Sequence, residues 1–444
     1  MGVDRVEIPT PRNHNTSRGN RNLNFGVLNF SFRKGRTYYK LLTYSTTMEL
    51  RMYEYRLYPT QKQQTYFLRT FKHCRFVWNE LLGLNKKMRV TNSFDLNGIV
   101  RDIKICDPTI GEEVYAQVLQ NVSNRLSKSF DNFFRRVKEK KQGKNVKAGY
   151  PRFKSKITSI TYPQDGFKLM SNRRLRISKI GNVPIVLHRA PKGKIKTMTI
   201  KMNPAGQWFA TFACEIDFPK IIHPHKEKDV GIDVGLTTFA TLSDGTKIEN
   251  PRFLRAAETR LKHLQRGLSR KVKGSKNRNK ARIKLARAHL KVSNIRRDWL
   301  HKQSHTITQQ YGSIYNEKLN ITNMVKNHTL AKSIHDASWG QFFQMLSYKA
   351  VTSGGYVGRV DPKGTTSQCY KCNTWNDMPL NRRIFECVGC GFTDGRDKKA
   401  SEHIQQKGRA GRVRTTKTLV DIEPLSLIRG KVSSLVEART IPTT

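Results

Sequence analysis

Cys369-Tyr370-Lys371-Cys372 and Cys387-Val388-Gly389-Cys390 are two C-x2-C pairs with fourteen residues between them. Each pair fits a tight knuckle, and four thiolates at this spacing complete a tetrahedral zinc-ribbon site. The flank of the pattern adds to it. Asp397 lies seven residues past the last cysteine, while another aspartate, Asp233, stands far upstream in Gly231-Ile232-Asp233-Val234-Gly235-Leu236. A metal knuckle just ahead of the final carboxylate of an acidic constellation suggests a nuclease acting on nucleic acid.

Charge points the same way. The 444 residues hold 83 Lys+Arg against 33 Asp+Glu, a formal charge of +50. A compact chain with that excess repels itself unless a polyanion neutralises it, so nucleic acid is the expected partner and binding should weaken steeply with salt. Cys74, Cys106 and Cys214 are dispersed, the usage of a reducing cytosol and not of a disulfide scaffold. The sequence has no run of about 18 apolar residues and no signal-peptide h-region, so a cytoplasmic protein that does not meet a membrane is expected.

The pattern along the chain divides it. Residues 1–47 are polar and basic and read as a mobile extension with a short strand near Phe25–Phe32; Met48 stands as an alternative start. Arg51–Tyr58 is strand-like and Pro59 closes it. From Gln61 to Val137 the period is helical, with Tyr115, Val118, Leu119, Val122, Leu126, Phe130, Phe133, Phe134 and Val137 on one face, read as core packing. Arg176–Leu187, Lys194–Met202 and Trp208–Ile216 alternate as strands. They predict a small antiparallel barrel that the strand at 51–58 could complete, making the helices an insertion. Gly231–Leu242 reads as two strands around a turn, followed by helices from about Leu254 to Tyr311. Between Arg252 and Lys302 stand eighteen Lys/Arg against Glu258 and Asp298 only, a density that calls for a phosphate backbone alongside.

On local sequence alone, a turn residue capping Gly235 is the lesser reading of Asp233, whereas Glu317 reads as an ordinary exposed glutamate and Asp397 as a helix N-cap. They carry chemistry only together. Two-metal phosphodiester cleavage needs several carboxylates around ions ~3.5–4 Å apart, and spacing along the chain does not show that these three meet.

The chain resembles TnpB, the transposon-associated RNA-guided nuclease family ancestral to type V CRISPR effectors. The likeness runs over most of residues 49–405. It rests on Tyr55-Arg56-Leu57-Tyr58-Pro59-Thr60, Gly149-Tyr150-Pro151-Arg152-Phe153-Lys154, the Asp233 segment, Asn250-Pro251-Arg252, Lys326-Asn327-His328, Leu330-Ala331-Lys332-Ser333-Ile334, Trp339-Gly340-Gln341-Phe342, the ribbon and Arg396-Asp397. The resemblance implies a mixed α/β chain: an RNase H-like (RuvC) nuclease core with a zinc-ribbon insertion, and a small antiparallel β-barrel carrying the helical lobe. The implied boundaries are 48–60 and 146–227 for the wedge-like barrel, and 61–145 for the recognition lobe. The nuclease takes 228–365 and 393–407, the ribbon 366–392, and a variable tail 408–444.

It further implies that Asp233, Glu317 and Asp397 are catalytic and bind two Mg2+, and that Cys369, Cys372, Cys387 and Cys390 bind a structural Zn2+. The partners would be a guide RNA and a double-stranded DNA target, pairing supplying sequence choice. Arg56, Tyr58, Arg75, Arg152, Lys154 and Arg252 are candidate nucleic-acid contacts. Family members carry aspartate where this chain has Lys318, asparagine where it has Lys399, aspartate in place of Gly395, and an apolar strand residue in place of Asn316. If Lys318 and Lys399 face the metal pocket they compete with Mg2+; if they face outward they are phosphate contacts. Guided cleavage is therefore the leading expectation. Guided DNA binding with attenuated or lost cleavage, and a transposition accessory role, are the alternatives.

Overall fold

The computed structural model describes residues 29–33, 36–40, 47–218, 221–379 and 381–416. The chain divides at Thr47 into two units. In the first, β1 (Asn29–Arg33) and β2 (Arg36–Lys40) pair as an antiparallel hairpin. The strand expected near Phe25–Phe32 coincides with β1 from Asn29 onward; its earlier part, and the rest of the mobile extension expected over 1–47 apart from the hairpin and residue 47, lie outside the described residues.

The second unit opens with β3 (Thr47–Leu57), whose Tyr53, Tyr55 and Leu57 are buried at alternate positions. Pro59 ends the strand. Thr60 starts α1 (Gln61–Met88) with a capping box, its hydroxyl accepting from Gln63 N while the Gln63 side chain accepts from Thr60 N. Then come α2 (Ser93–Cys106), α3 (Pro108–Glu113) and α4 (Ala116–Lys141). Val118, Leu119, Val122, Leu126 and Phe130 of α4 are buried, as their spacing predicts. The far end of that stripe differs. Phe133 packs edge-on to Tyr150 at 5.3 Å, but Phe134 is 51% exposed.

The chain returns as six strands: β4 (Ser159–Pro163), β5 (Phe167–Leu169), β6 (Arg174–Ile177), β7 (Gly181–Val186), β8 (Lys194–Met202) and β9 (Trp208–Phe218). The stretch expected as one strand at Arg176–Leu187 is two, broken by a turn in which Lys179 and Gly181 take φ of 68° and 88°. With β3 they make a seven-stranded sheet, in the order β4-β8-β9-β3-β7-β6-β5. Its two edge strands are consecutive in the chain, so the sheet is nearly closed. Trp208 of β9 stacks on Phe67 and Phe71 of α1, at 4.9 and 5.6 Å, which seats the helices on the sheet.

A second sheet follows. Its strands are β10 (Asp229–Val234), β11 (Thr238–Leu242), β12 (Lys247–Glu249), β13 (Ser313–Glu317) and β14 (Tyr356–Val360). Between β12 and β13 lie α5 (Phe253–Ser269) and α6 (Lys276–Gln310). Between β13 and β14 lie α7 (Ile321–Met324), α8 (His328–Ala337) and α9 (Trp339–Ser353). The order is β12-β11-β10-β13-β14: the first three strands are antiparallel, and β10, β13 and β14 are parallel. The Phe239 ring of β11 meets Trp299 of α6 at 4.7 Å and Phe342 of α9 at 5.0 Å, pinning both helices to one face.

Beyond β14, β15 (Ile384–Glu386) and β16 (Thr393–Gly395) pair antiparallel, and α10 (Arg396–Thr416) begins at the next residue. The helix expected from Lys398 thus starts two residues earlier. The tail expected from 408 also differs: α10 continues to Thr416, with Arg409 ion-paired to Asp229 and Arg412 donating to Ser313 Oγ. Those two contacts tie its last turns to the parallel strands. Residues 417–444 lie outside the described residues.

Candidate metal and nuclease site

The parallel register sets two of the three acids side by side. Ile232 of β10 pairs with Asn316 of β13, so Asp233 and Glu317 occupy the next matched positions on strands about 4.8 Å apart. Alternation puts Gly231, Asp233, Tyr315 and Glu317 on one face. That face receives α10. A Cβ on Gly231 would stand 2.0 Å from Ser401 O, and one on Gly408 would stand 2.2 Å from the Tyr315 ring. The helix can lie this close only because both positions are glycine. Asp397, one turn before Ser401, is thereby carried toward Asp233.

The electrostatics record the convergence. The Asp233 carboxyl is pushed from 3.8 up to about 8, by burial first and then by the charges of Glu317 and Asp397. Burial also raises Glu317, opposed by a hydrogen bond from Thr365 and by the charge of Lys407. A cavity of about 70 Å3 lies between Asp233 and Asp397, with Thr237, Thr238, Thr241 and Arg383 among its walls. Glu317 is not a wall of that cavity and acts on Asp233 from the neighbouring strand. Oxygen donors gathered from two parallel strands and a helix start are the kind of set a hard divalent cation takes.

The cysteines form the second centre. The four sulfurs lie within 4.8 Å of one another, with Cys369–Cys390 at 3.8 Å and Cys372–Cys387 at 3.4 Å. Tetrahedral zinc with Zn–S near 2.3 Å sets sulfurs about 3.8 Å apart, so the group fits. The two knuckles repeat each other. Asn373 N donates to Cys369 O and Gly391 N to Cys387 O, both at 2.9 Å, and the residue after each second cysteine has positive φ, 61° at Asn373 and 69° at Gly391. Asn376 braces them, its amide 3.8 Å from Cys387 Sγ and its carbonyl accepting from Val388 N at 2.8 Å.

Lys318 and Lys399 take different places. Lys318 is exposed. Lys399 neither enters the carboxylate pocket nor reaches solvent: it is fully buried, and its Nζ donates to the carbonyls of Thr365 at 3.1 Å, Thr366 at 2.9 Å and Gln368. A long stem allows it to cross from α10 into the ribbon's entry loop. Both alternatives expected for it are thus replaced by a third.

The basic candidates are dispersed. Arg56 lies over the rings of Tyr58 and Phe209, at 5.2 and 5.1 Å, and Tyr58 is 57% exposed. Arg152 and Lys154 belong to a strap running against α1. There Trp78 Nε1 donates to Arg152 O, Asn79 bonds both N and O of Lys154, and Arg75 donates to Ser155 O. Lys154 Nζ also covers the Trp78 ring at 4.2 Å. Arg75 and Lys154 therefore have structural contacts as well. Arg252 is exposed at the start of α5, while Asn250 beside it holds Leu236 O at 2.8 Å. The basic residues of α5 and α6 surround a thin apolar seam of Leu261, Leu285 and Val292. Arg383 and Thr365 are not singled out by the sequence, since neither lies in a recognisable motif.

The sequence is similar to that of known proteins. Residues 214–328 match the OrfB_IS605 family, described as "Probable transposase"; residues 339–404 match the Cas12f1-like TNB domain, and 48–92 a helix-turn-helix domain. The last span holds β3 and the single long helix α1. A Streptomyces pristinaespiralis protein named "Putative RNA-guided DNA endonuclease" is 33% identical over 375 residues, covering 81% of this chain and 90% of its own. The chain belongs to the TnpB family. InsQ of Escherichia coli (strain K12), which carries the same name, is 30% identical over 386 residues, covering 81% of this chain and 93% of its own. A solved Cas12f1–sgRNA–target DNA complex holds a chain 13% identical, with a TM-score of 0.48, over 78% of this chain and 83% of that one. Among the described residues, no helix is long and apolar enough to cross a membrane.

Proposed function

We propose that this TnpB-family chain is an RNA-guided, metal-dependent DNA endonuclease whose five-stranded sheet is an RNase H-like core. One observation carries the reading. Asp233 and Glu317, remote in sequence, follow matched positions on parallel strands, and Asp233 and Asp397 line one cavity. In this reading Asp233, Glu317 and Asp397 hold two Mg2+, which when bound supply an activated water and stabilise the leaving oxygen. The residues of the chain do the remaining work. Asp233 and Glu317, on matched parallel positions, fix one side of the site, and Asp397 supplies the other from the first turn of α10. Arg383, on the cavity wall, meets the charge of a phosphodiester drawn between them. Thr365 donates a hydrogen bond to Glu317 Oε1 at 2.5 Å and orients it.

The same reading assigns the seven-stranded sheet, 48–60 and 146–227, to a wedge that grips nucleic acid, and 61–145 to guide and target recognition. It assigns 228–365 with 393–407 to cleavage, and 366–392 to a zinc ribbon supporting DNA beside the acids. Arg56, Tyr58, Arg75, Arg152, Lys154 and Arg252 contact phosphate or base, and Arg75 and Lys154 also hold the strap in place. The test is direct. Protein purified with its RNA, given matched target DNA and Mg2+, should cut; Asp233→Asn should bind the same target and leave it whole. Target left uncut by the unaltered protein across guide designs would favour guided binding without cleavage.

A further inference from the structure

Lys399 is a fully buried ammonium with no carboxylate partner among the described residues. Its three donors go to Thr365 O, Thr366 O and Gln368 O, and the group lies 4.2 Å from the Phe385 ring of the ribbon. Burying a charge is costly unless it is compensated, and two features compensate this one. The carbonyls satisfy its protons. Burial, the larger effect, disfavours its charge; the thiolates of Cys369 and Cys387 oppose that in part, and a four-thiolate zinc centre carries net negative charge. The loop it grips has a second attachment. Thr365, also buried, lies with its hydroxyl 2.5 Å from Glu317 Oε1 and 2.9 Å from Pro362 O. A continuous path therefore runs from the zinc knuckle through Lys399 to Thr365 and on to Glu317. His403, one turn beyond Lys399, faces the Thr365 and Gln368 backbone as well.

We infer that Lys399 is a positioning residue: it locks the loop between β14 and the ribbon so that the Thr365 hydroxyl holds Glu317 in its cation-binding orientation, coupling the thiolate centre to the carboxylate centre. The inference rests on the proposed nuclease reading. From α10, the long cationic side chain of Lys399 reaches all three carbonyls.

The test uses full-length protein with bound RNA, Mn2+ as the probe, and Lys399→Met, Thr365→Val and the double variant. Mn2+ binding is followed by electron paramagnetic resonance, zinc by elemental analysis, and target binding by mobility shift. Removing a partner behind a metal ligand typically weakens metal binding about 10–100-fold. Each single variant should raise the Mn2+ half-saturation within that range while target binding is kept. The double variant should be no worse than the poorer single, because both act along one path. Thr365→Val leaves the carbonyls and Lys399 in place, so it can still overturn the path to Glu317 even if Lys399→Met loses zinc. Unaltered Mn2+ binding in Thr365→Val, or effects that multiply in the double variant, overturns the inference. Unmutated protein that neither binds Mn2+ nor cuts overturns the nuclease reading itself.

Discussion

Gly231 of β10 and Ser401 of α10 are in backbone contact: a methyl on Gly231 would lie 2.0 Å from Ser401 O and 2.7 Å from Gln405 N. Neither neighbour is a flexible side chain, so Gly231→Ala must displace α10 from the sheet. Overpacking of this kind costs about 1–3 kcal/mol. We expect a lowered Tm and, because Asp397 moves with α10, a loss of cleavage larger than the loss of target binding. Cleavage and Tm at the level of the unaltered protein would contradict the packing described.

Asp233 predicts a pH dependence. Its carboxyl is raised to about 8, by burial and by Glu317 and Asp397, so between roughly pH 4 and 8 the folded state holds a proton that the unfolded state has released. Ion-free stability from this group is therefore present at low pH and is lost as pH rises through that window. Lys407, acting on Glu317, opposes the trend. Divalent cations compete with that proton, so Mg2+ should raise Tm more at about pH 8.5 than at about pH 6. Melting curves with and without Mg2+ check this, and Asp233→Asn should flatten the difference.

The ribbon is too small to fold on apolar contacts. Cys369, Met378, Phe385 and Cys387 form its buried cluster among the described residues, with Phe392 against them. About one zinc per chain is expected, and chelation or Cys372→Ser should unfold the segment and slow cleavage. Elemental analysis and limited proteolysis after chelation measure it. A zinc-free protein that resists proteolysis here would refute the assignment.

Asn79 makes reciprocal hydrogen bonds of 2.8 and 3.0 Å with Lys154 N and O. Asn79→Ala removes both hydrogen bonds from a half-buried site, at about 0.5–1.5 kcal/mol each. The strap should loosen and nucleic-acid affinity fall with it, read by mobility shift and by hydrogen exchange at 152–155.

Arg56, ringed by Tyr58 and Phe209, serves as the probe of the electrostatic surface. If it contacts phosphate, Arg56→Gln should weaken binding uniformly across guide sequences and reduce the salt slope by about 1. A change confined to one target sequence would assign it to base reading.

Local pattern carries much of this fold. Alternation and Pro59 mark β3, the paired C-x2-C marks the knuckles, and the stripe from Val118 to Phe130 marks the buried face of α4. The stretch at 176–187 misleads because two positive-φ residues, Lys179 and Gly181, turn the chain inside a pattern that still alternates. The acids are readable only through resemblance: periodicity places Asp233 on a strand end, but which strands pair in parallel is a long-range fact. Lys399 is beyond sequence reading altogether. Its side chain crosses to another element, and a lone lysine in a basic chain gives no sign of burial.

Everything between Leu57 and Ser159 departs from the seven-stranded sheet and comes back to it, with α1 seated on Trp208 at one end and the strap tied to α1 at the other. Helices inside that loop can lengthen, shorten or be exchanged over evolutionary time without shifting a single strand register. Under the proposed reading, the lobe assigned to guide and target recognition is thus free to diversify while the sheet assigned to cleavage keeps its shape.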